Sequence, residues 1–402
     1  MSTTASSSVT VRLHRLTMVA EDGGVMTGRP DTGSYAWFPA EGAELLRRLA
    51  AGTPVADAVR WYEEASESEL DVADFLDTIG ELGFVLGDGE DPAPASPVRW
   101  QRLGAAVFSW PAMAGYAVVI VAALVAMIRD PSLWPVYRHL FFTGHPALIP
   151  VVLTLTGIGF VLVHEWCHML AGRRLGLPST LSIGRRFYYL VAETRLDSLM
   201  SVPRRRRYLP FLAGMLCDTV LLAALTLLGA ALRSADVAAW VPKLCLALAF
   251  TNVLRLMWQF LFYLETDLYY VIATAMRCTQ LQVVARHLVA SRVRRLLGRP
   301  STEPDPGWSD RDRAAARWYA PLLVGGYAFS LASLIWVGIP TFVMLWSAAA
   351  HEVLTSNPTV AHIADGLILL AVMSAELGLL LYVTVRDRRA RRRTQLSLGA
   401  TP

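Results

Sequence analysis

His164-Glu165-Trp166-Cys167-His168 is an H-E-x-x-H sequence. On a helix, residues four apart share one face, so both imidazoles can reach one Zn²⁺. Glu165, beside the first of them, is placed to take a proton from water activated at the metal. The pentapeptide alone recurs in unrelated proteins, but its setting here is unusual. From Pro146 to Leu170 these three are the only acidic, basic or imidazole side chains in a strongly apolar run. A carboxylate at the middle of a membrane helix costs roughly 2.5–3.5 kcal/mol, so it is seldom found there without a role. Cys167 lies inside the motif but is rotated away from the two histidines.

Two histidines leave the metal in need of a third protein ligand and an open position for water. Two later carboxylates qualify. Asp218 lies in Leu212-Ala213-Gly214-Met215-Leu216-Cys217-Asp218, and Asp267 in Phe262-Tyr263-Leu264-Glu265-Thr266-Asp267-Leu268. Both fall near the depth of His164 and His168, and spacing alone does not choose between them.

The elements that must carry these residues are membrane helices. Of 402 residues, 54% are hydrophobic and only 17% charged, and the mean hydropathy is +0.40. That composition belongs to a polytopic membrane protein rather than a soluble enzyme. Six apolar segments are expected near 105–128, 147–170, 208–232, 241–264, 319–346 and 362–385. Four cysteines fall in or beside apolar segments without C-x-x-C spacing, as small buried hydrophobes do. Lys243 is the only lysine, and arginine sets the charge pattern. Arg173, Arg174, Arg185, Arg186, Arg195, Arg204–Arg207, Arg286, Arg292, Arg294, Arg295 and a basic tail from Arg386 share one side. The opposite loops hold Arg129, Arg138, Arg233 and Lys243. The positive-inside rule makes the first side cytoplasmic, with both termini there, and the arginine runs act as topology signals rather than nucleic-acid sites.

Residues 1–89 read differently. Strand-like alternation at 9–13 and 34–38 precedes three helices, beginning at Ala40, Val55 and about Leu70, and Phe84-Val85-Leu86 closes the unit. This is a small α+β, winged-helix-like cytosolic domain whose helices are not basic enough for DNA binding. A proline-rich acidic linker follows at 88–97. Leu181–Val191 reads as strand, a re-entrant or surface hairpin. Arginines between Met276 and Ala316 alternate with Leu288, Val289, Val293, Leu296 and Leu297, as in an amphipathic helix on an anionic leaflet.

Two families resemble these stretches. Tyr35-Ala36-Trp37-Phe38, Ala40–Leu46, Gly52–Val59 and Val72–Val85 look like the PqqD-like fold, whose members recognise leader peptides of ribosomally made natural products. The leader typically adds there as an extra strand. Across roughly His164 to Tyr270, the chain resembles the site-2-protease family of intramembrane zinc metallopeptidases. The matching residues are H-E-x-x-H, Tyr189–Asp197, the arginines Arg204–Arg207, Ala213-Gly214, Asn252-Val253-Leu254 and Tyr263–Tyr270. Val253, Leu268 and Cys167 depart from the family's usual Pro, Gly and Gly. The resemblance implies His164, His168 and Asp267 as zinc ligands and Glu165 as the catalytic base. It also implies Asn252 as a substrate-positioning amide, although an interhelical hydrogen bond would use that side chain equally well.

The expected organisation is a leader-recognition domain at 1–89, a linker at 90–104 and a protease core at 105–276. A basic amphipathic segment at 277–318 and a transmembrane pair with a basic tail at 319–402 complete it. The expected function is zinc endopeptidase cleavage of a ribosomally made peptide precursor at the cell membrane, with a leader peptide and the bilayer as partners and no nucleic acid. The alternatives are an intramembrane protease acting on a membrane-anchored regulator, or a non-catalytic peptide export or immunity protein. No G-x-x-x-x-G-K-[ST] loop is present, which argues against a transporter driven directly by nucleotide hydrolysis.

Overall fold

Short runs with β-branched and aromatic residues make a three-stranded antiparallel sheet near the N-terminus. Strands β1 (Thr17–Glu21), β2 (Gly24–Arg29) and β3 (Ser34–Pro39) lie in the order β1-β2-β3, with Val19 opposite Met26 and Met26 opposite Trp37. Helices α1 (Ala40–Ala50), α2 (Val55–Ser66) and α3 (Val72–Glu81) follow. The Asp71 carboxylate caps α3 by accepting from the N–H groups of Ala73 and Asp74. Helical spacing puts Ala43, Leu45, Leu46 and Leu49 of α1 inside, where they meet Phe38, Ala58, Ile79 and Phe84. The computed structural model describes residues 9–21, 23–87, 89–91, 98–145, 148–300, 307–354 and 360–398. Residues 92–97 of the expected linker lie outside them.

One strand expectation needs correction. Residues 9–13 contribute only an isolated bridge, Leu13 to Val85, and the sheet is built from β1 and β2 instead. Leu13 still packs against the core, so its apolar character was a burial signal rather than a strand signal.

Beyond a short helix α4 (Gln101–Val107), the chain is mainly helical. Six helical stretches among the described residues are long and apolar enough to cross a membrane. They are α5 (Trp110–Arg129), α6 (Leu148–Arg174), α7 (Arg204–Leu232) and α8 (Trp240–Trp258), then Asp310–His351 and Gly366–Arg386. A hairpin of β4 (Thr180–Arg186) and β5 (Tyr189–Arg195) joins α6 to α7. After α8 come α9 (Asp267–Ala275) and α10 (Leu281–Leu296). Helix α11 (Asp310–Ser333) passes through a π-helical turn, Leu334–Gly338, into α12 (Ile339–Leu354), and α13 (Val360–Leu398) ends the described chain.

Two compact units share these elements. The first comprises the residues up to Phe108 with Met169–Thr180 and Thr194–Pro210, and the second holds the rest. Within the first, Arg207 at the start of α7 pairs through two nitrogens with Glu21 of β1, at 2.6 and 3.2 Å. Ser198 donates to the Pro30 carbonyl between β2 and β3. The sheet is therefore keyed to the root of α7.

Within the second unit the fourth apolar segment is shorter than expected. Helix α8 stops at Trp258, a 3-10 turn spans Phe262–Leu264, Glu265 is left-handed at φ 54°, and α9 starts at Asp267. Side chains fix this break. Gln259 accepts the Asp267 N–H through Oε1 at 3.0 Å, and its own carbonyl accepts from the Thr266 hydroxyl at 2.7 Å. In the basic segment, helix α10 buries Leu281, Val284 and Ala285 against Ala315, Ala316, Tyr319 and Leu323 of α11, while Leu296 and Leu297 at its end are exposed.

Phe84 is fully buried between β3 and α3, and removing such a ring costs about 3–5 kcal/mol. In Phe84→Ala, limited proteolysis should cut the segment before Phe108 under conditions where the wild-type segment resists, while α5–α8 stay intact.

Candidate metal centre

The motif lies on α6, where His164 and His168 are one turn apart and their rings meet edge to face, with centroids 4.8 Å apart. Their Nε2 atoms are 3.0 Å from one another. Asp267, the first residue of α9, brings Oδ2 to 3.1 Å from each. Two ring nitrogens and one carboxylate oxygen thus form a nearly equilateral triangle, a group that could hold a metal ion. A tetrahedral ion with bonds of 2.0–2.1 Å needs donors about 3.3 Å apart, so an outward shift of a few tenths of an ångström seats it. Both imidazoles are buried, whereas the Asp267 side chain keeps 21% of its surface exposed.

Helix α7 provides the room. A Cβ added at Gly214 would run into the Nε2 atoms of both His164 and His168. Hydrogen in place of a side chain keeps open the space between α6 and α7 that the three donors face.

The loop carrying Asp267 is fixed from several directions. Arg186 of β4 donates to the Leu264 carbonyl at 2.8 Å and pairs with Glu193 of β5. Gln282 of α10 donates to the Tyr263 carbonyl, and the single hydroxyl proton of Tyr319 on α11 lies within reach of both the Phe262 carbonyl, at 2.9 Å, and the Gln282 side-chain oxygen. At the hairpin tip Tyr189 packs edge-on against Trp258, the last residue of α8, and Phe187 stacks on Tyr327.

The structure thus brings together His164, His168 and Asp267. Glu165 is buried one residue along α6 from His164. Asp218 does not join the triangle. It is fully buried and accepts from Nδ1 of His164, on the far side of that ring, at 2.8 Å, and an outward-facing ring edge cannot share a ligand position with Nε2. Asn252 is fully buried and donates to the Leu248 carbonyl of its own helix at 2.9 Å, and its Oδ1 has no hydrogen-bond partner among the described residues. Gly214, Arg186 and Gln259 were not assigned to the site from sequence. Only Gly214 carried a signal, as a glycine inside an apolar helix four residues before an acid.

Comparison with known proteins gave no match: no family model fits the chain, and no curated protein or solved structure is significantly similar to it.

Gly214→Ala should abolish metal binding without unfolding α7, because alanine favours a helix interior by about 1 kcal/mol over glycine. Metal analysis of the purified variant checks this. Wild-type metal content in Gly214→Ala would mean that the ion does not sit where the three donors converge.

Proposed function

We propose that the protein is a membrane-embedded zinc endopeptidase of the site-2-protease type that removes the leader from a ribosomally made peptide precursor. The observation that carries the reading is the triangle of His164, His168 and Asp267 beside a buried Glu165, with both histidines and the glutamate on a helix apolar enough to span a membrane. Two neutral nitrogens and one carboxylate suit Zn²⁺, and three protein ligands leave a position for substrate and water. When bound, zinc would act as a Lewis acid that polarises a carbonyl and acidifies water.

The chain's own residues do the rest. His164, His168 and Asp267 would hold the ion. Glu165 accepts the proton that the attacking water loses and returns it to the leaving amine, so that one water is consumed and one C–N bond is replaced by an acid and an amine. Packing around Trp258, Tyr189 and Tyr263 limits access of bulk water from the α11 side. The β4–β5 hairpin has backbone donors and acceptors along its outer edges that could hold a substrate segment extended.

The N-terminal domain is read as the recognition module. A three-stranded sheet with α1 and α3 packed on it, α2 against α1, and β1 and β3 at its edges is compatible with the PqqD-like resemblance and with capture of a leader as a further strand. Binding there would raise the precursor's effective concentration at the site. Arginine placement orients this domain and both termini toward the cytoplasm of a multi-pass cell-membrane protein.

Glu165→Gln keeps the size of the side chain and removes the base. It should accumulate full-length precursor by mass spectrometry, with cleavage lowered at least about 100-fold and zinc content unchanged. Loss of zinc together with cleavage would make Glu165 structural, and undiminished cleavage would contradict the mechanism.

A further inference from the structure

Asp218 is left without a role by the ligand triangle, although its position is unusual. It is a carboxylate with no solvent exposure on α7, one turn after Gly214. Residues four apart share a helix face, so α7 brackets the His164 ring. Its backbone at Gly214 lies against the Nε2 edge, and the Asp218 carboxylate accepts from Nδ1 at 2.8 Å. The second carboxylate oxygen is also engaged. Arg255 of α8 donates to it through Nη2, and the same nitrogen reaches the carbonyl of Phe160 on α6, at 3.0 Å. Phe160 is one turn before His164, so its carbonyl belongs to the turn that carries the ligand.

We propose that Arg255 and Asp218 are positioning residues for the metal ligand His164, acting as a relay Arg255–Asp218–His164 that fixes both the ring orientation and its tautomer. This rests on the metal-centre reading above. With Asp218 accepting at Nδ1, the ring hydrogen sits there and the Nε2 lone pair faces Asp267 and His168. Arg255 keeps Asp218 aimed, since a buried carboxylate with an unpaired oxygen would otherwise be free to swing. Because Arg255 binds helices α6 and α7 at once, the relay also sets the gap into which Gly214 fits. A carboxylate behind a ligating histidine raises its basicity, and loss of such a partner typically weakens metal affinity 10–100-fold. The competing account is that Asp218 and Arg255 are a plain interhelical ion pair. That pair would support folding but leave the ligand field of a loaded centre unchanged.

The test uses the purified full chain in lipid nanodiscs, with zinc affinity read by competition against a chromophoric chelator and Co²⁺ absorption read on the loaded protein. Asp218→Asn should weaken zinc binding 10–100-fold and shift the Co²⁺ bands. Arg255→Met should act in the same direction, and Arg255→Lys should recover part of the loss. The double variant Asp218→Asn/Arg255→Met should bind no more weakly than Asp218→Asn, because both act through one ring. Should Asp218→Asn fail to fold, Arg255→Met and Arg255→Lys decide by the same two readouts. Affinity within threefold of wild type with unshifted Co²⁺ bands would overturn the relay. If His168→Ala then still loses the metal, the centre itself stands. A wild type that binds no zinc would overturn both.

Discussion

Everything in the second unit depends on holding two imidazole nitrogens and a carboxylate oxygen 3.0–3.1 Å apart inside an apolar bundle. Converging lone pairs repel, and polar groups withdrawn from water cost several kcal/mol unless something compensates them. Such a cluster could hold a cation between its three donors, provided the frame is stiff enough to keep them in place. The two histidines share one rigid helix, so their spacing comes from helix geometry alone. The carboxylate is the demanding part, because it must arrive from another element at the same depth.

The chain meets that demand by interrupting a helix. Between Trp258 and Asp267 the backbone leaves the helical ladder, which at membrane depth is tolerated only where protein satisfies the freed groups. Here protein does: Gln259, Arg186, Gln282 and Tyr319 bind the exposed carbonyls and the Asp267 N–H. The β4–β5 hairpin, α10 and α11 share one purpose in this respect, which is to immobilise a single aspartate. On the opposite side α7 contributes an absence at Gly214 and a charge at Asp218, and its N-terminal root carries the Glu21–Arg207 pair of the other unit.

What the sequence made legible follows from how local each signal is. H-E-x-x-H fixes two donors through one helical turn, and long apolar runs mark membrane-length helices, so both were readable. Helices α1–α3 were readable for the same reason, since Leu45, Leu46, Leu49 and Ile79 fall on periodic faces. Strands β1 and β2 were not, because residues 17–29 are interrupted by glycines and show no sustained alternation. The break after Trp258 was hidden because Phe260–Leu264 is apolar enough to extend a span. Its cause, Gln259 reaching Asp267, is a tertiary contact with no sequence period. Asp218 and Asp267 looked equivalent from spacing, and only the edge of the His164 ring that each one meets separates them. Arg255 drew no attention in the sequence, since its meaning comes from Asp218 on a different helix.

The most direct test of the account is the zinc content of the purified wild type beside His168→Ala and Asp267→Ala, with each variant first checked for monodisperse folded protein. The account predicts about one zinc per wild-type chain and none in either variant. A wild type without zinc, or full zinc retained after loss of either ligand, would contradict it.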